Sequence, residues 1–305
     1  MQNVLVTGGA GFIGSHLVDA LIEQEYNVYI IDDFSTGKRE NVNSRAFLYE
    51  LSVQDDGVAE IFKKAKFFYV FHLAAQTDVR KSCSNPLLDA ETNIIGTLNI
   101  LSLCRLHRVK KFIFSSSGGV IYGDIKKPAQ ETDLPRPVSP YGISKLAGEL
   151  YVKFFDEYFP YTILRYSNVY GERQDPFGEA GVVSIFTKNM LKEKSCTLYG
   201  YGKPVRDYVY VGDIVKANIL SIQKGDNEII NIGTGKPTSV EKLYSMLKGI
   251  VSHNVPPVYK PLREGEINSN YLCVERAKDI LGWQPSVSLE DGFSKVVQWL
   301  KATKG

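Results

Sequence analysis

Cysteine is scarce in this 305-residue chain: the four, at positions 83, 104, 196 and 273, form no Cys-x-x-Cys pair. That scarcity argues against a disulfide framework and a thiolate zinc site, and it suits a reducing, cytoplasmic compartment. The four histidines, His16, His72, His107 and His253, fall in unrelated segments, so no metal centre is expected. Charge of one sign is lacking too. Lys and Arg number 36 against 34 Asp and Glu, a net +2 that leaves no broad basic face for nucleic acid but still allows a local site for a small anion. No apolar run nears the ~20 residues a bilayer crossing demands. Neither a membrane partner nor a signal peptide is expected, because Met1-Gln2-Asn3 carries no cationic side chain.

What is present is a regular alternation. Short β-branched runs at 4–7, 28–31, 47–49, 69–73 and 111–115 are separated by segments of helical period, from Gly11 to Glu23, around Asp55 to Lys64, and in one long helix from about Pro86 to His107. Repeated βαβ units predict an α/β fold, an open, doubly wound parallel sheet of Rossmann type with right-handed crossovers.

The first turn reads Thr7-Gly8-Gly9-Ala10-Gly11-Phe12-Ile13-Gly14, between a strand and a helix. In that context Gly8 permits the tight turn, Gly11 lets the backbone approach a pyrophosphate, and Gly14 lets the helix pack against the sheet. Glycines also mark ordinary turns. Asp32 separates the two readings: it ends the second strand 21 residues after Gly11, where a carboxylate can accept from the hydroxyls of an adenosine ribose. A carboxylate there favours NAD over NADP, although Lys38 and Arg39 follow closely enough to accommodate a 2′-phosphate. Its neighbour Asp33 reads as a solvated turn residue.

Further on, Ser115-Ser116-Ser117 ends the fifth strand, and Ser139-Pro140-Tyr141-Gly142-Ile143-Ser144-Lys145 opens an amphipathic helix with Ser139 as N-cap and Pro140 at its first position. Tyr141 and Lys145, at i and i+4, share one helical face. A phenol with a pKa of about 10 needs roughly 4 kcal/mol of differential stabilisation to ionise at neutrality. A lysine ammonium, the helix N-terminus and an oxidised nicotinamide would all act in that direction. Tyr141, Lys145 and Ser117 are therefore the expected catalytic residues.

These motifs, together with HLAAQ at 72–76, TNIIGT at 92–97, LRYSNVYG at 164–171, VRDYVYV at 205–211 and NIGTG at 231–235, make the chain resemble the extended short-chain dehydrogenase/reductase family over nearly its whole length. Within that family it is most similar to the NAD-dependent 4-epimerases that interconvert UDP-glucose and UDP-galactose. The resemblance implies that Leu73, Ala74, Ala75 and Gln76 run along the cofactor, supported by Asn93, with further contacts from Phe12, Ile13, Asp33, Ser35, Thr36, Gly37, Leu51, Ser52, Ser115 and Tyr166. It implies substrate contacts from Asn168, Val182, Tyr199, Asn270 and Ser117, and a diphosphate clamp of Arg206 with Arg263 and Glu266. It also implies a cofactor domain of residues 1–165 that takes back about 208–235, a smaller, interleaved α/β substrate lobe of 166–207 and 236–305, and a homodimer.

Three alternatives stay open at this level. Asn270, smaller than the tyrosine that excludes N-acetylated sugars in the family, leaves room for UDP-N-acetylglucosamine. A decarboxylase, dehydratase or reductase on a related nucleotide sugar shares the fold; Gly118-Gly119-Val120, standing where dehydratases place an acid pair, argues against elimination. A non-catalytic NAD- or nucleotide-sugar-binding regulator has no need of the intact Ser117, Tyr141 and Lys145.

Overall fold

The computed structural model describes residues 1–176, 181–263 and 266–303. The strands β1 (Asn3–Thr7), β2 (Asn27–Asp32), β3 (Phe47–Glu50), β4 (Tyr69–His72), β5 (Lys111–Ser117) and β6 (Tyr161–Tyr166) come first. The shorter β7 (Asn168–Tyr170), β8 (Thr197–Tyr199) and β9 (Val205–Tyr210) follow, then β10 (Glu228–Ile232), β11 (Pro237–Ser239), β12 (Val258–Lys260) and β13 (Ser269–Asn270). The main sheet runs β10-β6-β5-β4-β1-β2-β3 with every pairing parallel. Chain order reverses between β1 and β4, so a crevice opens beyond their C-terminal ends, where an open α/β sheet receives its ligand.

The expected doubly wound sheet follows from burial on both faces. Val4, Leu5, Val6, Ile30 and Ile31 are fully buried, which is why these strands read as unbroken apolar runs rather than alternating ones. On one face Leu17, Val18 and Leu21 of the helix Phe12–Glu23 meet Ile214 and Val215 of the helix Val211–Leu220. On the other, Phe62, Ile100, Leu101 and Val152 form a second core. A third, around Phe186, Leu247, Phe293 and Val296, underlies a smaller sheet centred on β9, which pairs with β7, β11 and β13. Among the described residues no helix is long and apolar enough to cross a membrane.

The long helix expected from Pro86 to His107 runs without a break through Pro86–Ala90, a π-helical turn Glu91–Ile95 and Gly96–Leu106, with helical dihedrals at each junction. The wide turn falls on Asn93, whose side chain bonds the backbone of Gln76 on another segment, a contact that 3.6-residue periodicity does not report. β5 runs to Ser117, so the three serines end the strand as expected.

Candidate active site

The glycine turn has the geometry a diphosphate requires. Gly8 adopts a φ of +71°, and a Cβ there would lie 2.7 Å from the Ala74 nitrogen. A Cβ on Gly14 would collide with the Gly8 carbonyl oxygen, and one on Gly11 would stand 3.2 Å from it. Gly11 caps the helix without a side-chain bond, so the amides of Phe12, Ile13 and Gly14 carry the positive end of the helix with no capping acceptor. This bare cradle fits a dinucleotide pyrophosphate.

Asp32 is buried, with one carboxylate oxygen accepting from the Ala10 amide and the other from the Phe34 amide, each at 2.9 Å. Burial raises its pKa, against these two bonds. A carboxylate has about four lone-pair sites, so two remain for a ribose diol. A Cβ on Gly37 would strike this carboxylate, which accounts for the glycine. The nearby cations are engaged: Arg39 pairs with Glu50 at 2.5 Å and stacks on Phe34, and Lys38 lies 3.9 Å from Asp175. Asp33 is exposed and accepts from the Ser35 amide at 2.9 Å, a local turn contact. Ser35 and Thr36 are exposed, and the Ser52 amide donates to Asp55 at 2.7 Å beside the half-buried Leu51.

A hydrogen-bond chain that sequence reading missed ties the turn to the segment Leu73–Gln76. The Ala74 amide donates to Thr7 Oγ1 at 3.2 Å, which donates to His72 Nδ1 at 2.7 Å. His72 Nε2 donates to Thr97 Oγ1 at 3.0 Å, and Thr97 donates to the Asn93 carbonyl at 2.7 Å. Every group has one consistent role only if His72 is neutral with its proton on Nε2, and burial holds its pKa down to about 3. Asn93 closes the chain: its carboxamide accepts from the Gln76 amide and donates to the Gln76 carbonyl, both at 2.9 Å. Thr7 just before the first glycine and His72 at a strand end are the signals that could have revealed it.

Tyr141, the expected proton-transfer residue, sits where the expected helix begins. Ser139 caps Pro140–Phe154 by accepting from the Gly142 amide at 3.2 Å. Tyr141 is buried near Ser117. Lys145 Nζ donates to the Ser115 carbonyl at 2.9 Å and lies 6.0 Å from the Tyr141 ring centre. The electrostatics differ from expectation. Burial pushes the Tyr141 phenol well above its ordinary value and the Asp89 carboxylate pushes the same way, while the Ser117 hydroxyl pulls it down. Burial also lowers Lys145 to about 8, against Asp89 and Glu149. In the protein alone, desolvation outweighs the attraction of Lys145 that the sequence suggested. Tyr166 is buried on the other face of the sheet, in the core under the helix Val211–Leu220, with its hydroxyl donating to Asn218 at 3.0 Å.

On the substrate side Asn168 starts β7, and a Cβ on Gly119 would stand 3.6 Å from its Oδ1 and 3.7 Å from Ser117 Oγ. The glycine therefore keeps space open between these two polar groups. Ser167 Oγ, Asn168 Oδ1 and Asn270 Oδ1 are buried without a hydrogen-bond partner among the described residues. Val182 begins the helix Val182–Leu191. The arginines are not two free forks. Arg206 donates to the carbonyls of Val205 at 2.9 Å and Ile267 at 2.7 Å, opposite Asn270 in the β9–β13 register. Arg263 pairs with Glu266 and stacks 4.2 Å from the Tyr199 ring centre. Among the described residues no group of three or more His, Cys, Asp or Glu side chains is arranged to hold a metal ion.

Residues 4–233 match the profile of a family described as the NAD dependent epimerase/dehydratase family. The chain is similar to the crystal structure of UDP-glucose 4-epimerase with UDP-glucose from Thermotoga maritima: 52% identity, all of both chains covered, TM-score 0.98. It is also similar to the UDP-N-acetylglucosamine 4-epimerase of Methanobrevibacter ruminantium in complex with UDP-N-acetylmuramic acid, at 36% identity and TM-score 0.94 over 99% of each chain. The UDP-glucose 4-epimerase of Mycolicibacterium smegmatis is 38% identical over 98% of this chain and 99% of its own.

Proposed function

We propose that this chain, which belongs to the NAD dependent epimerase/dehydratase family, is an isomerase that interconverts UDP-glucose and UDP-galactose by inverting the sugar at C4. NAD, when bound, supplies the hydride acceptor and donor. The glycine turn and the amides of Phe12 to Gly14 hold its diphosphate, and Asp32 its adenosine ribose. Tyr141 Oη takes the proton of the C4 hydroxyl and later returns one to the C4 oxygen. Ser117, near that phenol, orients the same hydroxyl. Lys145 carries the compensating positive charge.

The observation that favours epimerisation is the pair Gly118-Gly119 beside Ser117. Elimination or decarboxylation calls for an acid there, whereas epimerisation needs none; Gly118 packs toward Leu272, and Gly119 faces Ser117 Oγ and Asn168 Oδ1 and brings no acid to them. The test is incubation with UDP-galactose without added NAD. UDP-glucose should form with no accumulated NADH; a keto-deoxy product or released carbon dioxide would overturn the assignment. Tyr141→Phe should lower kcat by about 10²- to 10⁴-fold. An unchanged rate would remove the tyrosine from the mechanism.

A second substrate, UDP-N-acetylglucosamine, is supported by the small Asn270 and by the similarity to an enzyme named for that sugar. We assign the chain to the cytoplasm on its four free cysteines. We also assign a homodimer, because Leu87, Ile95, Ile143, Leu150 and Phe154 leave an exposed apolar surface on neighbouring helical segments, which a second copy would cover. Light scattering of the purified protein tests it.

A further inference from the structure

Asp89 carried no role in the sequence reading, yet it is a carboxylate 1% exposed behind the reacting groups. Its Oδ1 accepts from Gln76 Nε2 and from Asn93 Nδ2, both at 3.0 Å. The same Asn93 nitrogen reaches Ser144 Oγ at 3.2 Å, and Ser144 donates to the Tyr141 carbonyl at 3.0 Å. Asp89 thus touches the cofactor segment directly and the catalytic helix through one amide.

The ionisable residues packed around it are few. The helix Pro140–Phe154 brings Tyr141, Lys145 and Glu149, all buried. The helix Val79–Ser84 buries Ser82, while its Arg80, Lys81 and Cys83 are exposed, as is Glu91 on the following turn. His72 on β4 is held neutral by burial. A buried carboxylate solvated by two amides calls for a nearby cation, and Lys145 is the buried one.

We propose that Asp89 is a positioning residue of this active site: its carboxylate aligns the segment 73–76 through Gln76 and Asn93 and, from that place, adjusts the pH range in which Tyr141 and Lys145 act. The proposal rests on the epimerase reading above. A negative charge here raises the proton affinity of both Tyr141 and Lys145, and neutralising it lowers both.

Asp89→Asn keeps Oδ1 as acceptor for both amides and removes only the charge. The kcat profile of this variant should move to lower pH on both limbs by about one unit. A profile that superimposes on the parent's would overturn the proposal, since hydrogen bonding alone would then account for the residue. Asp89→Ala removes the bonds as well and should retain less NAD through gel filtration than Asp89→Asn; equal retention would remove the alignment role. The shift can also be read without turnover, from the phenolate absorbance that disappears in a Tyr141→Phe background. Absence of epimerisation in the parent sinks the reaction assignment, whereas an unmoved phenolate midpoint in Asp89→Asn sinks this one.

Discussion

The two sides of the crevice differ in how many buried polar atoms they leave unpaired, although Asp207 in the smaller lobe is itself fully satisfied. On the cofactor side Asp32, His72, Asn93 and Glu149 each find two or more partners within the protein. On the sugar side Ser167 Oγ, Asn168 Oδ1 and Asn270 Oδ1 are buried with none among the described residues. Leaving such an atom unpaired costs about 1–3 kcal/mol. The scaffolds differ in the same sense, a seven-stranded parallel sheet against short strands in two small sheets. The contrast teaches a division of labour. One side is stiffened in advance by its own hydrogen bonds, and the other keeps acceptors and a hydroxyl for a polar ligand that arrives and leaves.

The largest expected effect breaks the stiff side. Glu149 accepts from Ser116 at 2.5 Å and takes Arg165 bidentately at 2.8 and 2.6 Å, all three residues being buried. Arg165 passes the network to Tyr122 at 2.7 Å, and Tyr122 to Asn231 at 2.8 Å. Ser116 stands between Ser115 and Ser117, so this carboxylate fixes β5 and β6 against the helix Pro140–Phe154. Glu149→Ala strands a buried guanidinium and should cost about 3–5 kcal/mol in denaturant unfolding. A loss below 1 kcal/mol would mean the network is not the frame of the cofactor side.

Next comes a pH effect on the same side. His72 has its folded pKa depressed to about 3 from 6.5, so between these values the unfolded chain binds a proton that the folded chain does not. Stability is therefore lost as pH falls below about 6.5, by roughly 2 kcal/mol at about pH 5. His72→Gln should flatten that acid slope in urea titrations, even though it lowers stability at neutrality. An unchanged slope would place the acid sensitivity elsewhere, with His16, the other histidine whose pKa burial lowers, the next group to examine.

What was legible in the sequence is what short spacing encodes. The glycine turn, the aspartate that ends β2 and the Tyr141–Lys145 pair lie within single strand-to-helix units, and the apolar runs mark the central strands because both faces of the sheet are covered. What was illegible is what folding brings together. Asp89 and Asn93 stand four residues apart on one helix, but their partner Gln76 lies on another segment, and Thr7 meets His72 across 65 positions. The expected fall in the Tyr141 pKa reversed for the same reason: i,i+4 spacing reveals the lysine but not the burial or the Asp89 carboxylate. The sequence already set Arg263 beside Glu266, but motifs carry no record of the backbone carbonyls that hold Arg206.

The smallest effect is the sharpest test of the sugar side. Asn168 Oδ1 lies across the space that Gly119 leaves open, and it has no partner to lose. If that acceptor serves a ligand, Asn168→Ala should raise the KM for the nucleotide sugar about tenfold, equivalent to ~1.4 kcal/mol, while retained NAD stays at the parent level. The folded protein should be no less stable, and slightly more so, since a buried unsatisfied atom is removed at the cost of little packing. A fall in melting temperature with an unchanged KM would show that Asn168 belongs to the framework after all, and the two sides of the crevice would then differ in strand length but not in kind.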